Sequence, residues 1–334
     1  MKAIQVSAPN GAFESVDRPV PEPGRGQVRI KVEACGVCHS DAVARAGYVP
    51  GMSFPRVHGH EVAGRVDAVG EGVTTWKRGD RAGVGWHGGH CFVCGPCRNG
   101  DFKNCRSAVN CGVHYDGGFA EYLVAPEEAV VRIPDVLSPV EAAPLLCAGV
   151  TTFNALRNSG ARTGDLVAVQ GIGGLGHLGV QFAKKLGFRT AAISQGADKA
   201  ELAKKLGADL YIDTKAGNAA EQLQQHGGAK AILATAPHGS SIAALVDGLG
   251  VEGRILVIAV TVDPISVSGI QLLTNGRSIQ GWLAGAPHDI QDTLDFAAAQ
   301  GVRPMTEVYP LAKAAEGFER MLSNQARFRV VLTP

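Results

Sequence analysis

The stretch that decides the fold is Leu166-Val-Ala-Val-Gln170-Gly171-Ile-Gly173-Gly174-Leu-Gly176-His-Leu-Gly-Val-Gln-Phe-Ala-Lys-Lys-Leu186. It opens with a short apolar run, Leu166 to Gln170, that reads as a buried strand, and it closes with an amphipathic helix from Gly176 to Leu186. Gly171, Gly173, Gly174 and Gly176 stand at the junction. Glycines there permit a tight turn, let the backbone approach a pyrophosphate, and let the helix pack closely on the strand. The helix N-terminus adds N–H donors and the positive end of its dipole. An ordinary βα turn can also be rich in glycine, but here a strand precedes the motif and a helix follows it, the context of a dinucleotide site.

Working outward, Thr190 to Ile193 is the next strand and Lys199 to Leu206 the next helix, followed by strands Asp209 to Ile212, Ala231 to Ala234 and Arg254 to Val260. Strands alternating with helices predict an α/β domain of the Rossmann type, a doubly wound parallel sheet covered on both faces. An acidic residue usually ends the second strand of such a unit and takes the adenosine ribose hydroxyls. Ser194 stands there instead, followed by Gln195 and Gly196. With no carboxylate to repel it, a 2′-phosphate can be bound by Ser194 or Lys199. The missing arginine, and Asp198 as a substitute acid, keep NAD(H) open beside NADP(H), towards which the position leans.

Upstream the pattern changes. Residues 1 to about 130 are β-rich, with strand-like runs such as Val28 to Glu33 and Val62 to Val69 between turns such as Pro21-Glu-Pro-Gly24 and Lys77-Arg-Gly-Asp80. Pro139 to Asn158 reads as helical. After Gly281 come two helical stretches, Asp289 to Gln300 and Ala312 to Leu322, and a last strand, Arg329 to Leu332. A chain of 334 residues is long enough for two separately packed domains.

Charge excludes some partners. Lys and Arg number 32 against 31 Asp and Glu, a net charge of +1, which offers no footprint for nucleic acid or an anionic membrane. The longest apolar runs, such as Ile255 to Val262, are too short to span a bilayer. Met1 to Val6 lacks the apolar core of a signal peptide and reads as a first strand, so the eight cysteines are expected as thiols or thiolates in the cytoplasm.

Four of those cysteines cluster: Cys91-Phe-Val-Cys94-Gly-Pro-Cys97, then seven residues, then Cys105. Thiolates two residues apart around a Gly-Pro turn can converge on one ion, and four of them close a tetrahedral Zn²⁺ site. A closed site leaves no position for a substrate, so this metal is expected to brace a loop. A pair of disulfides is the alternative, disfavoured in a chain with no sign of export.

Outside the quartet, Gly36-Val-Cys38-His39-Ser40-Asp41 is followed 22 residues after Cys38 by His60 in Gly59-His60-Glu61. With Pro144-Leu-Leu-Cys147-Ala-Gly-Val-Thr151 and the motifs above, these segments resemble the zinc-dependent alcohol dehydrogenases of the medium-chain dehydrogenase/reductase family. The resemblance runs from Met1 to the last strand. It implies a GroES-like β-rich catalytic domain of residues 1–148 and 284–334, with a structural-zinc lobe at about 87–110, and a Rossmann domain of residues 149–283. It implies two Zn²⁺ per chain, the catalytic one on Cys38, His60 and Cys147 with Glu61 adjacent, and Asp41 orienting the His60 ring. His58 is the rival ligand.

The activity implied is reversible oxidation of a small alcohol to an aldehyde or ketone, with hydride transfer to NAD(P) and Ser40 as the first proton relay. Many relatives end that relay with a histidine five residues after the first cysteine ligand; Val43 stands there, so the end of the relay is open. His39 matches a contact to the cofactor pyrophosphate. Thr151, Ile258 and Val260 match positions beside the nicotinamide, and Trp86, Val49 and Leu283 match positions near the substrate pocket. A homo-oligomer is implied, with a tetramer favoured over a dimer. A polyol dehydrogenase and a non-catalytic nucleotide-binding member of the fold are the alternatives. Cys35 and Cys111 read as small buried residues, and His87 and His90 as flanking the zinc lobe.

Overall fold

Gln27–Val37 is the longest strand of the protein, and it organises the first of two units, Met1–Cys147 together with Gly285–Pro334. The computed structural model describes residues 1–334. Val28, Ile30, Val32 and Ala34 alternate into the core, and from Ala34 onward the strand is buried on both faces. Its sheet runs in the order Val130–Arg132, Arg81–Val84, Val62–Val69, Gln27–Val37, Arg329–Thr333, Thr306–Pro310, with Tyr122–Pro126 also paired to the long strand. The C-terminal strand is antiparallel to it, with Val331 opposite Gly36. Ile30, Val62, Phe119, Leu123, Phe318 and Leu332 fill the core beneath.

Three smaller features position the site, the third running from this unit into the next. The helix His39–Arg45 begins directly after the long strand. The strands His87–Gly89 and Val109–Asn110 pair and flank the cysteine-rich lobe between them. The stretch expected as one helix is divided into an α-helix Pro139–Pro144, a π-turn Leu145–Gly149 and an α-helix Val150–Arg157. Pro144 has no N–H to continue the ladder, and a widened turn follows it.

In the second unit, Ala148–Ala284, the strand Leu166–Gln170 is buried along its whole length in a six-stranded sheet. The order is Leu210–Asp213, Arg189–Ser194, Leu166–Gln170, Ala229–Ala234, Leu249–Val257, Ser278–Gly281, with every pair parallel. That order, with the strand before the glycine turn in the third place, is the dinucleotide-binding one. The fifth strand ends at Val257, its last partner being Gly281, so Ile258 and Val260 lie beyond the sheet. The apolar run Val257-Ile-Ala-Val260 simply outlasts the ladder.

The turn after Leu166–Gln170 shows why glycine is required. Gly171 has φ of +86°, in the left-handed region. A Cβ on Gly176 would lie 1.7 Å from the Gly171 carbonyl oxygen, whereas one on Gly173 would meet nothing within 4 Å. The first contact packs the helix against the strand; the second leaves backbone open to a ligand. Gly176→Ala is therefore expected to destabilise the protein by about 1–3 kcal/mol through overpacking and to weaken cofactor binding. Thermal unfolding and cofactor titration check this, and an unchanged midpoint would show that the turn relaxes freely.

Candidate active site and metal centres

Cys38 caps the N-terminus of the helix His39–Arg45, and Asp41 sits at the third position of that helix. One oxygen of Asp41, Oδ2, accepts the Cys38 backbone N–H at 2.8 Å. The other, Oδ1, lies 3.0 Å from His60 Nδ1, with the two residues 2% and 1% exposed. The carboxylate thereby fixes the ring orientation and directs His60 Nε2 elsewhere. That nitrogen is buried and has no hydrogen-bond partner. Cys147, carried by the π-turn, places its Sγ 3.8 Å from Cys38 Sγ. One ligand atom each from Cys38, His60, Glu61 and Cys147 lies within 4.8 Å of the others.

The donor set fits a zinc ion. With Zn–S near 2.3 Å, two thiolates of a tetrahedral site stand about 3.8 Å apart, which is the separation found. The neighbouring Cys147 thiol, with His60, holds the Cys38 thiol well below its usual pKa, against burial, while Cys147 is pushed up by Cys38 and by burial. Two thiols in contact in an apolar surrounding cannot both ionise unaided. Burial opposes protonation of His60, but Asp41 and Cys38 outweigh it and raise the imidazole.

Glu61 is fully buried, and its Oε1 accepts a hydrogen bond from Arg329 Nη2, itself buried on the C-terminal strand. Burial pushes the Glu61 carboxyl up to about 7, against the pull of Arg329. Arg329 stays charged because Glu61, with the two cysteines, outweighs its own burial. Sequence reasoning missed this partner. Its one visible signal was an arginine opening an otherwise apolar last strand, Arg329-Val-Val-Leu332.

The remaining candidates are distributed around this core. The Trp86 ring meets His60 edge to face at 4.9 Å. Ser40 is half-buried and His39 exposed on the first turn of the same helix that carries Val43, and Val49 is half-buried in the loop beyond it. His58 is fully buried with both ring nitrogens unpartnered, and lies outside the ligand group that includes His60. Cys35 and Cys111 are buried and point their thiols at the carbonyls of Gly36 and Gly59. His87 and His90 pair ring to ring at 3.0 Å beside the zinc lobe.

In that lobe, ligand atoms of Cys91, Cys94, Cys97 and Cys105 also lie within 4.8 Å of one another. Cys105 Sγ is 3.6 Å from Cys91 Sγ and 3.9 Å from Cys94 Sγ, again the tetrahedral edge. Cys105 Sγ further accepts the backbone N–H groups of Cys91 at 3.4 Å and Ser107 at 3.3 Å. All eight cysteines are unpaired, so the disulfide alternative falls.

In the second unit, Ser194 ends its strand with Asp213 as its parallel neighbour. Asp213 Oδ1 accepts the Gly196 and Lys215 N–H groups at 2.7 and 2.8 Å, shaping the loop beyond Ser194. Lys199 Nζ reaches back to the Ile172 carbonyl in the glycine turn at 3.2 Å. Thr151 is buried near the start of the helix Val150–Arg157, whereas Val260 is 56% and Leu283 68% exposed.

A glycine-rich βα turn of the dinucleotide-binding type in one unit and a group of residues able to hold a metal ion in the other are features expected of a zinc-assisted, dinucleotide-dependent oxidoreductase. The chain matches the family models described as alcohol dehydrogenase GroES-like domain, over residues 24–135, and zinc-binding dehydrogenase, over residues 174–299. It is 46% identical to the alcohol dehydrogenase patD of Penicillium expansum over 93% of this chain and 91% of that protein. Against an alcohol dehydrogenase of Geobacillus stearothermophilus it is 39% identical over 99% of each. A cinnamyl alcohol dehydrogenase structure from Sorghum bicolor superposes with a TM-score of 0.89 at 31% identity, covering 99% of this chain and 97% of that one. The chain belongs to the zinc-type alcohol dehydrogenases of the medium-chain dehydrogenase/reductase family. It is an NAD(P)-dependent enzyme that interconverts alcohols with aldehydes or ketones.

Since Asp41 alone orients the His60 ring, Asp41→Asn is expected to lower metal affinity at the Cys38 cluster roughly 10–100-fold while sparing the four-cysteine site. Chelator competition with metal analysis reads the two sites separately; equal loss from both would refute the assignment.

Proposed function

We propose that residues 1–148 and 284–334 carry the catalytic metal and the alcohol, that residues 149–283 bind the nicotinamide cofactor, and that each cysteine cluster holds one Zn²⁺. The observation that carries this reading is the buried, unpartnered His60 Nε2 grouped with the Cys38 and Cys147 thiols. Two thiolates and one neutral imidazole balance the charge of the ion and leave a fourth position open; four thiolates at Cys91, Cys94, Cys97 and Cys105 close the other site into a brace. A zinc ion held by Cys38, His60 and Cys147 would lower the pKa of an alcohol or polarise a carbonyl, and a nicotinamide cofactor would supply the hydride chemistry.

The side chains supply the rest. Asp41 keeps His60 in the tautomer that frees Nε2. Ser40 takes the hydroxyl proton outward, and Val43 offers no acceptor beyond it, so the relay ends in solvent or on another group. Glu61, with an oxygen within 4.8 Å of the other donors, would offer an alternative oxygen ligand to the ion. Trp86 and Val49 form apolar substrate walls, which favours simple alcohols and aldehydes over polyols. His39, Thr151, Ile258, Val260 and the glycines from Gly171 to Gly176 bind the cofactor. Retention of Cys38, His60, Cys147 and Ser40 together disfavours a non-catalytic member of the fold.

For the cofactor we favour NADP(H). Ser194 presents no charge where NAD(H) enzymes carry an acid, Lys199 is close by, and the Asp213 carboxylate is occupied with backbone N–H groups. A homo-oligomer, a tetramer before a dimer, is supported by the edge strand Ser278–Gly281 and by the exposed Val262, Ile270 and Leu273. No helix is long and apolar enough to cross a membrane, and we place the enzyme in the cytoplasm.

Metal analysis of the active enzyme is expected to find about two zinc ions per chain, and Cys147→Ser to keep one and lose activity; a single zinc in fully active wild-type protein would refute the reading. Ser194→Asp is expected to move the NADP(H)/NAD(H) preference towards NAD(H) by roughly tenfold or more through like-charge repulsion. Initial rates with both cofactors measure it, and an unmoved ratio would overturn the role of that position.

A further inference from the structure

Arg329 holds only one oxygen of Glu61. The other, Oε2, is buried and has no hydrogen-bond partner. It lies against Gly36, near the end of the strand Gln27–Val37: a Cβ built on Gly36 would stand 1.8 Å from Oε2, and its three nearest atoms would all belong to the Glu61 side chain. Backbone conformation does not explain this glycine, since its φ lies outside the left-handed region. Its N–H donates to the Glu61 carbonyl at 3.0 Å, and it pairs in register with Val331, ordinary strand geometry for any residue. Glycine inside a strand is otherwise a weakening choice, with no side chain to pack, and often marks a close approach by another group. The close approach here is a carboxylate.

We propose that Gly36 is a positioning residue: its missing side chain provides a notch that seats the Glu61 carboxylate beside the Cys38, His60 and Cys147 donors and holds it back from the fourth metal position. This rests on the reading of that cluster as the catalytic metal centre. Glu61 is wholly buried, so a carboxylate displaced from the notch cannot swing into water. A Glu61 oxygen already lies within 4.8 Å of the other three ligand atoms, and that cluster is where a displaced carboxylate goes. A fourth protein ligand would turn an open catalytic site into a closed structural one. Arg329 restrains Oε1 by attraction, and Gly36 accommodates Oε2 by absence.

The test is a double-mutant cycle of Gly36→Ala with Glu61→Ala, in enzyme loaded with Zn²⁺ or Co²⁺ and in metal-free protein. In the Glu61 background, Gly36→Ala is expected to slow zinc release to a chelator roughly tenfold, to alter the visible Co²⁺ spectrum and to lower kcat. In the Glu61→Ala background the same substitution is expected to leave release rate and spectrum unchanged. Equal effects in both backgrounds, or an unaltered Co²⁺ spectrum in Gly36→Ala, would overturn the proposal. If Gly36→Ala does not fold, a folded double variant supports the notch, and a double variant that unfolds where Glu61→Ala alone folds refutes it. Failure of the underlying reading is separable: wild-type protein taking up Co²⁺ only at the four-cysteine site would sink the catalytic centre, while the unfolding midpoints of the metal-free cycle would still report on the notch.

Discussion

Everything at the Cys38 centre depends on one buried ion pair, Glu61 with Arg329. The two residues are 268 positions apart, and both side chains are buried. Breaking such a pair from one side leaves an uncompensated charge in the interior, at a cost of about 3–5 kcal/mol. The pair therefore ties the Gly59-His60-Glu61 segment to the C-terminal strand. That strand is hydrogen-bonded to Gln27–Val37, whose end delivers Cys38. A chain that leaves the first unit at Cys147 and returns at Gly285 is drawn back to complete its own metal cluster.

The two cysteine clusters use the same chemistry for opposite ends. The quartet is local: one short helix, Gly95–Arg98, and the turns around it converge four thiols, and two backbone N–H groups donate to Cys105 Sγ. It can form with little help from the rest of the fold. The Cys38 cluster draws on three distant segments: a helix N-terminus, a Gly-His-Glu segment and a π-turn. Each donor is held by something else, Cys38 and His60 through Asp41 and Cys147 through the widened turn after Pro144. A site assembled this way can leave one direction open, because no single local turn dictates all four corners.

Electrostatics follows the same division. Neutral imidazole and two thiolates match a divalent cation, and the additional carboxylate of Glu61 is balanced by Arg329 rather than by the cluster. Sequence order hides this balance, since Glu61 sits next to His60 and looks like part of the ligand set. Only the strand pairing reveals that its charge is already spoken for. His58 illustrates the converse. Two residues from His60, it is equally buried, yet Asp41 bonds His60 and leaves His58 outside the group.

The sequence by itself determined the glycine turn between strand and helix, the parallel α/β unit around it and the local cysteine quartet, and the resemblance of its motifs proposed Cys38, His60 and Cys147 as donors. These features are carried by residues close in the chain, or by motifs whose order is informative, and short-range sterics and periodicity suffice to read them. The tertiary structure decided the π-turn that aims Cys147, the end of the strand before Ile258, the partnership of Glu61 with Arg329 and the notch at Gly36. Each depends on which segments share a sheet and on how closely backbones approach. Register and burial between residues hundreds of positions apart leave no periodic trace in sequence. Gly36 is the clearest case: in the chain it is one glycine among 44, and in the fold it is the place where a carboxylate sits.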